Sequence, residues 1–133
     1  MINKERISEP FVKENIIKWL RTRGWKISPI TYSKFGVDIK ASRNGDQYLI
    51  ECKGETSSPN IDFLTCVGQI LSRMTHQSQS TTNYYAIGLP NTERYRELSK
   101  KLIPKSIRKK LKLRIIFVDR EGKVIEIRPL KDL

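Results

Sequence analysis

The dipeptide Asn44-Gly45 constrains the fold of this chain more than any other feature of the sequence. It separates two segments in which apolar and polar residues alternate, "GVDIKAS" (36–42) and "QYLIECK" (47–53). Asn-Gly between alternating segments is the strongest short-range signal for a β-hairpin with a two-residue turn. The sequence therefore predicts two antiparallel strands joined at this dipeptide.

A two-residue turn also determines the register of the two strands. It pairs Arg43 with Asp46, so the numbers of opposed residues sum to 89. In this register Asp38 lies directly opposite Glu51, with the two Cβ atoms about 5 Å apart. The sequence therefore predicts two carboxylates face to face inside a sheet.

Strand alternation assigns the other side chains of the hairpin to two faces. The predicted core face carries Val37, Ile39, Ala41, Tyr48, Ile50 and Cys52, and the opposite face carries Asp38, Lys40, Leu49, Glu51 and Lys53. Two ionised carboxylates about 5 Å apart repel by about 3 kcal/mol at an effective dielectric constant of about 20. A raised pKa, a lysine or a metal ion must offset this repulsion.

Two explanations of the acid pair are open. Oxygen ligands without histidine or cysteine suit Mg²⁺ or Mn²⁺, so one explanation is a metal site. The other is an amphipathic hairpin with one solvent-exposed face, on which Lys40 lies diagonal to Glu51 and Lys53 reaches Asp38. Exposed salt bridges of that kind are common and contribute little to stability.

The other segments predict helices and strands around the hairpin. Ser8 is a predicted cap of a first helix, Pro10 suits its first turn and Gly24 ends it. The later predicted elements are an extended segment at 25–30, a helix at 61–74, a strand at 84–90, a helix at 91–103 broken near Pro104, a helical turn at 106–111, and two strands within 112–130. This order predicts an α/β fold with a mixed sheet flanked by helices, in a single domain over 1–133.

The net charge indicates a polyanionic partner. The 133 residues include 26 Lys and Arg against 14 Asp and Glu, which gives a net charge of +12. Nucleic acid is the usual partner of such a domain. The predicted nucleic-acid-binding residues are Arg94, Arg96, Lys100, Lys101, Lys105, Arg108, Lys109 and Lys110. The alternative for this segment is an ordinary solvated helical face.

Several classes of protein are excluded or disfavoured. The apolar runs are too short to span a bilayer and the first residues lack a secretory signal, so we expect a cytoplasmic protein with no membrane partner. Cys52 and Cys66 lie in apolar patterns and are predicted to be reduced and buried. The sequence has no phosphate-binding G-x-x-x-x-G-K-[ST] motif, so we expect no nucleotide cofactor.

The pattern "GVD" (36–38) followed after twelve residues by "ECK" (51–53) resembles the PD-(D/E)xK nuclease superfamily. That superfamily has the restriction-endonuclease-like, or Holliday-junction-resolvase-like, fold, and the predicted order of helix, three-stranded meander, helix and strand matches it. Val37 stands where the family usually has proline. The resemblance implies a Mg²⁺-dependent DNA endonuclease acting in repair, recombination or restriction, and it leaves a homodimer open.

The resemblance also implies roles for individual residues. Asp38 and Glu51 would bind Mg²⁺ or Mn²⁺, and the backbone carbonyl of Cys52 would add a third ligand. Lys53 would orient or activate the attacking water and stabilise the developing charge. Glu14 would match the helix acid of the family, with Glu9 as the competing position.

The second predicted helix supplies further matches to the family. Gln69 would lie beside the catalytic site, where many branches carry a glutamine. The neighbouring Gly68 would permit a close approach of helix and sheet.

A narrower resemblance concerns the segments at 61–74, 84–90 and 113–127, which are similar to the small excision-controlling-factor branch of the superfamily. It implies a non-catalytic DNA-binding accessory factor for recombination or DNA rearrangement. A nuclease acting on RNA with the same fold is a third hypothesis.

Overall fold

The computed structural model describes residues 5–29, 37–74 and 82–133. Its elements are α1 (Glu9–Thr22), β1 (Lys26–Ile27), β2 (Ile39–Arg43), β3 (Asp46–Cys52), α2 (Pro59–Met74), β4 (Asn83–Pro90), α3 (Glu93–Leu102), α4 (Lys105–Leu111), β5 (Leu113–Val118) and β6 (Val124–Ile127). In the described ranges the strands form one sheet in the order β1-β2-β3-β4-β5-β6. β3, β4 and β5 run parallel, and the other neighbours are antiparallel.

The hairpin has the predicted turn and register. Asn44 and Gly45 have φ angles of 51° and 86°, which is the pattern of a type I′ turn. Arg43 pairs with Asp46, and the ladder continues in the same register to Ile39 and Ile50. The prediction of an α/β fold with a mixed sheet and flanking helices is confirmed, and the architecture is consistent with a restriction-endonuclease-like fold.

Helix α1 covers one face of the sheet. Ser8 caps it, because its Oγ accepts a hydrogen bond from the backbone N–H of Phe11 at 3.2 Å. Its buried residues Val12, Ile16 and Leu20 join a core made with the predicted core face of the hairpin. The members of that face in this core are Ile39, Ala41, Tyr48, Ile50 and Cys52.

Helices α2 and α3 cover the opposite face. Phe63, Cys66 and Ile70 of α2 are buried there against residues of β4 and β5. Leu71 on the same helix is only half-buried, whereas Cys66 is fully buried, as predicted. The face of the hairpin that carries Glu51 is therefore packed against a helix, so an exposed amphipathic hairpin does not describe this residue.

Arg108 in helix α4 is part of the fold rather than of the surface. Its side chain is 1% exposed, and its guanidinium donates hydrogen bonds to the backbone carbonyls of Ile103, Arg128 and Lys131 at 3.1, 3.3 and 2.9 Å. These bonds tie α4 to the C-terminal residues. The prediction that Arg108 binds nucleic acid is wrong, because its donors are already used inside the protein.

The cysteine prediction is confirmed, since Cys52 and Cys66 are both free and buried. Among the helices of the described ranges, none has the length and apolar character needed to cross a membrane.

Candidate functional site

Asp38 and Glu51 come together where β2 begins and β3 ends. Asp38 precedes the first residue of β2 and lies one position beyond the last ladder pair, beside Glu51. Its Oδ2 accepts a hydrogen bond from the backbone N–H of Cys52 at 2.8 Å. This bond holds the Asp38 carboxylate against the end of β3, as the register predicts.

Glu51 is a buried carboxyl whose charge is poorly compensated. It is 3% exposed, and within the described residues its Oε1 has no hydrogen-bond partner. Burial, and next the negative charge of Asp38, raise the pKa of Glu51 to about 7. Arg73 of α2 lowers the pKa of Glu51, because its Nε forms an ion pair with Glu51 Oε1 at 3.5 Å.

Arg73 is a residue of the site that the sequence analysis missed. It occupies the last turn of α2, two turns after Cys66, whose Sγ contacts the carbonyl oxygen of Glu51 at 3.5 Å. A spacing of seven residues places both side chains on one face of the helix, above Glu51. The helical spacing was available in the sequence, but the contact of this face with β3 was not.

Lys53 and Glu9 lie near the acid pair. Lys53 directly follows β3, and its backbone N–H bonds the carbonyl of Gly88 at 2.9 Å. The pKa of Glu9 is raised first by partial burial and then by the charge of Asp38, while Lys53 lowers it. Glu9 is therefore within electrostatic reach of both predicted site residues.

Of the two candidate helix acids, Glu9 is the one that interacts electrostatically with Asp38 and Lys53. Glu14 is exposed and lies five residues further along α1, about 140° around the helix axis from Glu9. Gly54 explains the approach of Glu9, because a Cβ at Gly54 would lie 2.3 Å from the backbone nitrogen of Glu9. Only glycine at this position lets the first turn of α1 lie against the end of β3.

Gln69 and Gly68 lie on the outer side of α2. Gln69 is exposed, about 40° around the helix axis from Arg73 and one turn before it. Gly68 is also exposed, and a Cβ built there would meet nothing within 4 Å. The expectation that Gly68 permits a close approach of helix and sheet is therefore wrong.

The oxygen donors of the site fit a hard divalent cation. In the part of the chain that is described, no three His, Cys, Asp or Glu side chains are grouped as a metal site. The available donors are the two carboxylates and the backbone carbonyl of Cys52. The N–H and C=O groups of a strand residue point to the same edge of the strand, and the Cys52 N–H bonds Asp38, so the Cys52 carbonyl also points toward Asp38. Mg²⁺ is commonly held by one or two carboxylates and keeps several waters, so this smaller donor set suits it.

Seven of the eight predicted nucleic-acid-binding residues are exposed on α3 and α4. Arg94 bonds Asn60 Oδ1 and Arg96 bonds Asn91 Oδ1, each at 2.6 Å, and Lys105 pairs with Asp132 at 3.2 Å. The other four are Lys100, Lys101, Lys109 and Lys110. A nucleic-acid-binding role for this surface stays a prediction.

Comparison with known proteins gives a match in structure. No protein-family model and no curated protein matches the sequence. The fold is similar to that of an XisH family protein from Nostoc punctiforme, with a TM-score of 0.60 and 21% identity over 88% of this chain and 98% of that chain. It is equally similar to an FdxN element excision controlling factor protein from Anabaena variabilis, with a TM-score of 0.60 and 21% identity over 87% and 96% of the two chains. Over most of its length, this chain has the fold of those two proteins.

Proposed function

We propose that this protein is a Mg²⁺-dependent DNA endonuclease of the PD-(D/E)xK type. The observation that carries the proposal is the buried Glu51 carboxyl beside Asp38, whose Oε1 forms an ion pair with Arg73 at 3.5 Å but has no hydrogen bond within the described residues. A buried acid of this kind lowers stability unless a ligand uses it. A divalent cation is the ligand that these oxygen donors suit.

Each residue of the site has a role in this mechanism. Asp38, Glu51 and the carbonyl of Cys52 would hold the ion, which supplies charge neutralisation and a water of lowered pKa when bound. The ammonium group of Lys53 would stabilise negative charge on the phosphate oxygens in the transition state. Glu9, which interacts electrostatically with Lys53 and Asp38, would help to orient the attacking water.

The exposed cations of α3 and α4 would supply the affinity for DNA. Lys100, Lys101, Lys109 and Lys110 are exposed, so their ammonium groups are available to phosphates. Binding through phosphates is independent of sequence and leaves the choice of substrate to the shape of the DNA.

A second candidate function is that of a non-catalytic accessory factor in DNA rearrangement. The similarity in fold to an FdxN element excision controlling factor protein favours it. So does Arg73, because its guanidinium 3.5 Å from Glu51 already supplies part of the charge compensation that a metal ion would provide.

Thermal unfolding with and without Mg²⁺ or Mn²⁺ tests the metal site directly. An ion that binds only the folded state stabilises it by about 1.4 kcal/mol at tenfold excess over Kd, which raises Tm by a few degrees. We expect the metal ion to raise the Tm of the native protein and to leave the Tm of the Asp38→Asn, Glu51→Gln double variant unchanged. Asp46→Asn, which removes a carboxylate at the other end of the same hairpin, is the control and should keep it.

Cleavage assays separate the two functions. The native protein should nick or cut at least one of duplex, single-stranded, flap and four-way-junction DNA, whereas Lys53→Gln should keep the metal-induced rise in Tm and lose cleavage. A rise in Tm without cleavage of any of these substrates would favour the accessory factor. Absence of both would mean that the acid pair is structural.

A further inference from the structure

A large cavity opens at the end of the sheet opposite to the acid pair. It has a volume of about 720 Å³ and lies among the start of β4, the end of α4 and the residues after β6. Four of its lining residues are the cations Lys109, Lys112, Arg114 and Arg128. Its apolar walls include Leu130, which is 63% exposed although it is a large hydrophobic residue. This volume lies in the range typical of ligand pockets.

A smaller cavity of about 230 Å³ adjoins the first, and Tyr84, Arg114 and Arg128 line both. Aromatic rings form its floor, since Trp25 packs edge-on against Tyr48 and Tyr84 at centroid distances of 5.4 and 6.3 Å. Arg114 lies over the Tyr84 ring at 4.3 Å. Aromatic rings and guanidinium groups are therefore layered along one continuous surface.

Positive charge dominates this surface. Among the described residues that line the two cavities, Glu126 is the only acid. Its carboxylate is already engaged by Tyr48 Oη at 2.6 Å, by Arg114 at 3.2 Å and by Arg128 at 3.6 Å. Lys109 and Lys112 are both exposed at the mouth of the larger cavity. The unbalanced charge is thus available to an anion that enters the cavity.

We propose that these two cavities bind a nucleotide unit of single-stranded nucleic acid. The phosphate would lie against Lys109, Lys112 and Arg128, and the base would pack on Leu130 and on the Arg114 guanidinium that lies over Tyr84. Aromatic and guanidinium faces stack on bases, and lysines beside them hold the phosphate. A base enters such a cavity only when it is unpaired, which favours a single strand over a duplex.

This site is separate from the acid pair. Tyr84 pairs with Tyr48 at the start of the parallel ladder, whereas Glu51 lies three residues further along, on the opposite face of the sheet. None of the lining residues belongs to the proposed catalytic set. Lys109 is the one lining residue shared with the exposed cations of α3 and α4 to which the proposed function assigns the affinity for DNA. Binding here requires no divalent cation, so it is tested separately from metal binding and cleavage.

Intrinsic fluorescence gives a direct test, because both tryptophans of the protein, Trp19 and Trp25, line the smaller cavity. The native protein is titrated in EDTA with a short oligodeoxyadenylate, with dAMP, and with inorganic phosphate. We expect quenching by the oligonucleotide and by dAMP, with dAMP the weaker ligand. Inorganic phosphate alone should compete poorly, because it cannot use the aromatic and apolar walls.

Two matched double variants identify the site. Lys109→Gln with Lys112→Asn should weaken oligonucleotide binding by about tenfold or more, because two phosphate contacts are lost. Asn is chosen because Lys112 has a φ of 54°, which Asn tolerates. Lys18→Gln with Lys123→Gln removes the same charge from exposed positions outside both cavities and should change binding by less than about twofold.

Three results would overturn the proposal. They are equal weakening in the two double variants, competition by inorganic phosphate as strong as by dAMP, and absence of quenching by any nucleotide. Binding of dAMP without binding of the oligonucleotide would show that the cavity takes a free nucleotide. It would overturn the proposal that the ligand is part of a single-stranded nucleic acid. Retained thermal stability of the Lys109, Lys112 variant shows that a loss of binding is not unfolding.

Discussion

At the scale of single residues, Glu51 connects the stability of the fold with the proposed chemistry. Its carboxyl is buried between β3 and α2, beside Asp38, which directly precedes β2, and Arg73 of α2. A fold retains such a group at a cost in free energy unless the charge is offset. Two properties of the metal-free protein follow from this environment.

The first property is a decrease in stability as pH rises. Burial and Asp38 raise the pKa of Glu51 from 4.5 to about 7, so between these values the folded state binds more protons than the unfolded chain. The stabilising contribution is complete below pH 4.5 and is lost as pH rises through about 7. It amounts to a few kcal/mol at most. Urea unfolding in EDTA at several pH values should show this decrease, and Glu51→Gln should remove it; an identical pH profile for both proteins would contradict the prediction.

The second property concerns Asp38. Asp38→Asn keeps an oxygen that accepts the Cys52 N–H bond but removes the charge that repels Glu51. We expect the metal-free variant at pH 8 to be as stable as the native protein or more stable by about 1 kcal/mol. Asp38→Ala also loses the hydrogen bond and should cost about 1–3 kcal/mol. Strong destabilisation by Asn in urea unfolding would show that the charge of Asp38 is itself structural.

At the scale of elements, the contact between α1 and the end of β3 decides which helix acid reaches the site. A Cβ at Gly54 would lie 2.3 Å from Glu9 N and 2.7 Å from the carbonyl carbon of Ser8, and both are backbone atoms. Gly54→Ala should therefore displace the start of α1 and destabilise the protein by about 1–3 kcal/mol. This displacement of α1 should also increase the distance of Glu9 from Lys53 and Asp38.

Gly68→Ala is the matched control for this element. It lies inside α2 with nothing within 4 Å of the added Cβ, so the variant should be more stable by about 0.5–1 kcal/mol. Thermal unfolding should therefore show a lower Tm for Gly54→Ala and a higher Tm for Gly68→Ala than for the native protein. Destabilisation by both would mean that α2 packs more closely at Gly68 than the structure shows.

Helix α4 depends on Arg108 rather than on its neighbouring lysines. Arg108→Gln removes a buried guanidinium that bonds three carbonyls and leaves these acceptors without their donors. We expect a loss of about 2–4 kcal/mol, against less than about 0.5 kcal/mol for Lys110→Gln, which is exposed. Denaturant unfolding of the two variants measures the difference. Similar stabilities would show that the buried arginine contributes nothing to the docking of α4.

At the scale of the whole molecule, the net charge of +12 predicts that the proposed binding to DNA depends strongly on salt. Replacing Lys100, Lys101 and Lys110 together by glutamine should reduce the slope of log affinity for duplex DNA against log salt by about 2–3, since each phosphate contact contributes about 0.9. Arg108 is retained in this variant, because its loss would unfold part of the protein. The control is a triple variant with glutamine at three exposed lysines elsewhere, Lys18, Lys26 and Lys123. An equal change in slope for both triple variants would mean that total charge, and not the α3–α4 surface, determines the affinity.

Some features of this protein follow from the sequence alone because they depend on neighbouring residues. The Asn44-Gly45 turn sets the hairpin register, and with it the position of Asp38 beside Glu51, since only a few local hydrogen bonds and dihedral angles are involved. The cap of α1 at Ser8 is local in the same way. The order of helices and strands was likewise predictable from hydrophobic periodicity and turn residues.

Other features were decided only by tertiary packing, because they join residues that are distant in the chain. The burial of Glu51 requires α2 to pack over β3, and the same packing brings in Arg73, which no local pattern indicated. The choice of Glu9 over Glu14 depends on the contact with Gly54, 45 residues away. Arg108 appeared to belong to a run of surface cations, but carbonyls of the C-terminal residues surround it. Local sequence specifies dihedral angles and alternation, whereas the desolvation and pairing of a charge depend on which distant element covers it.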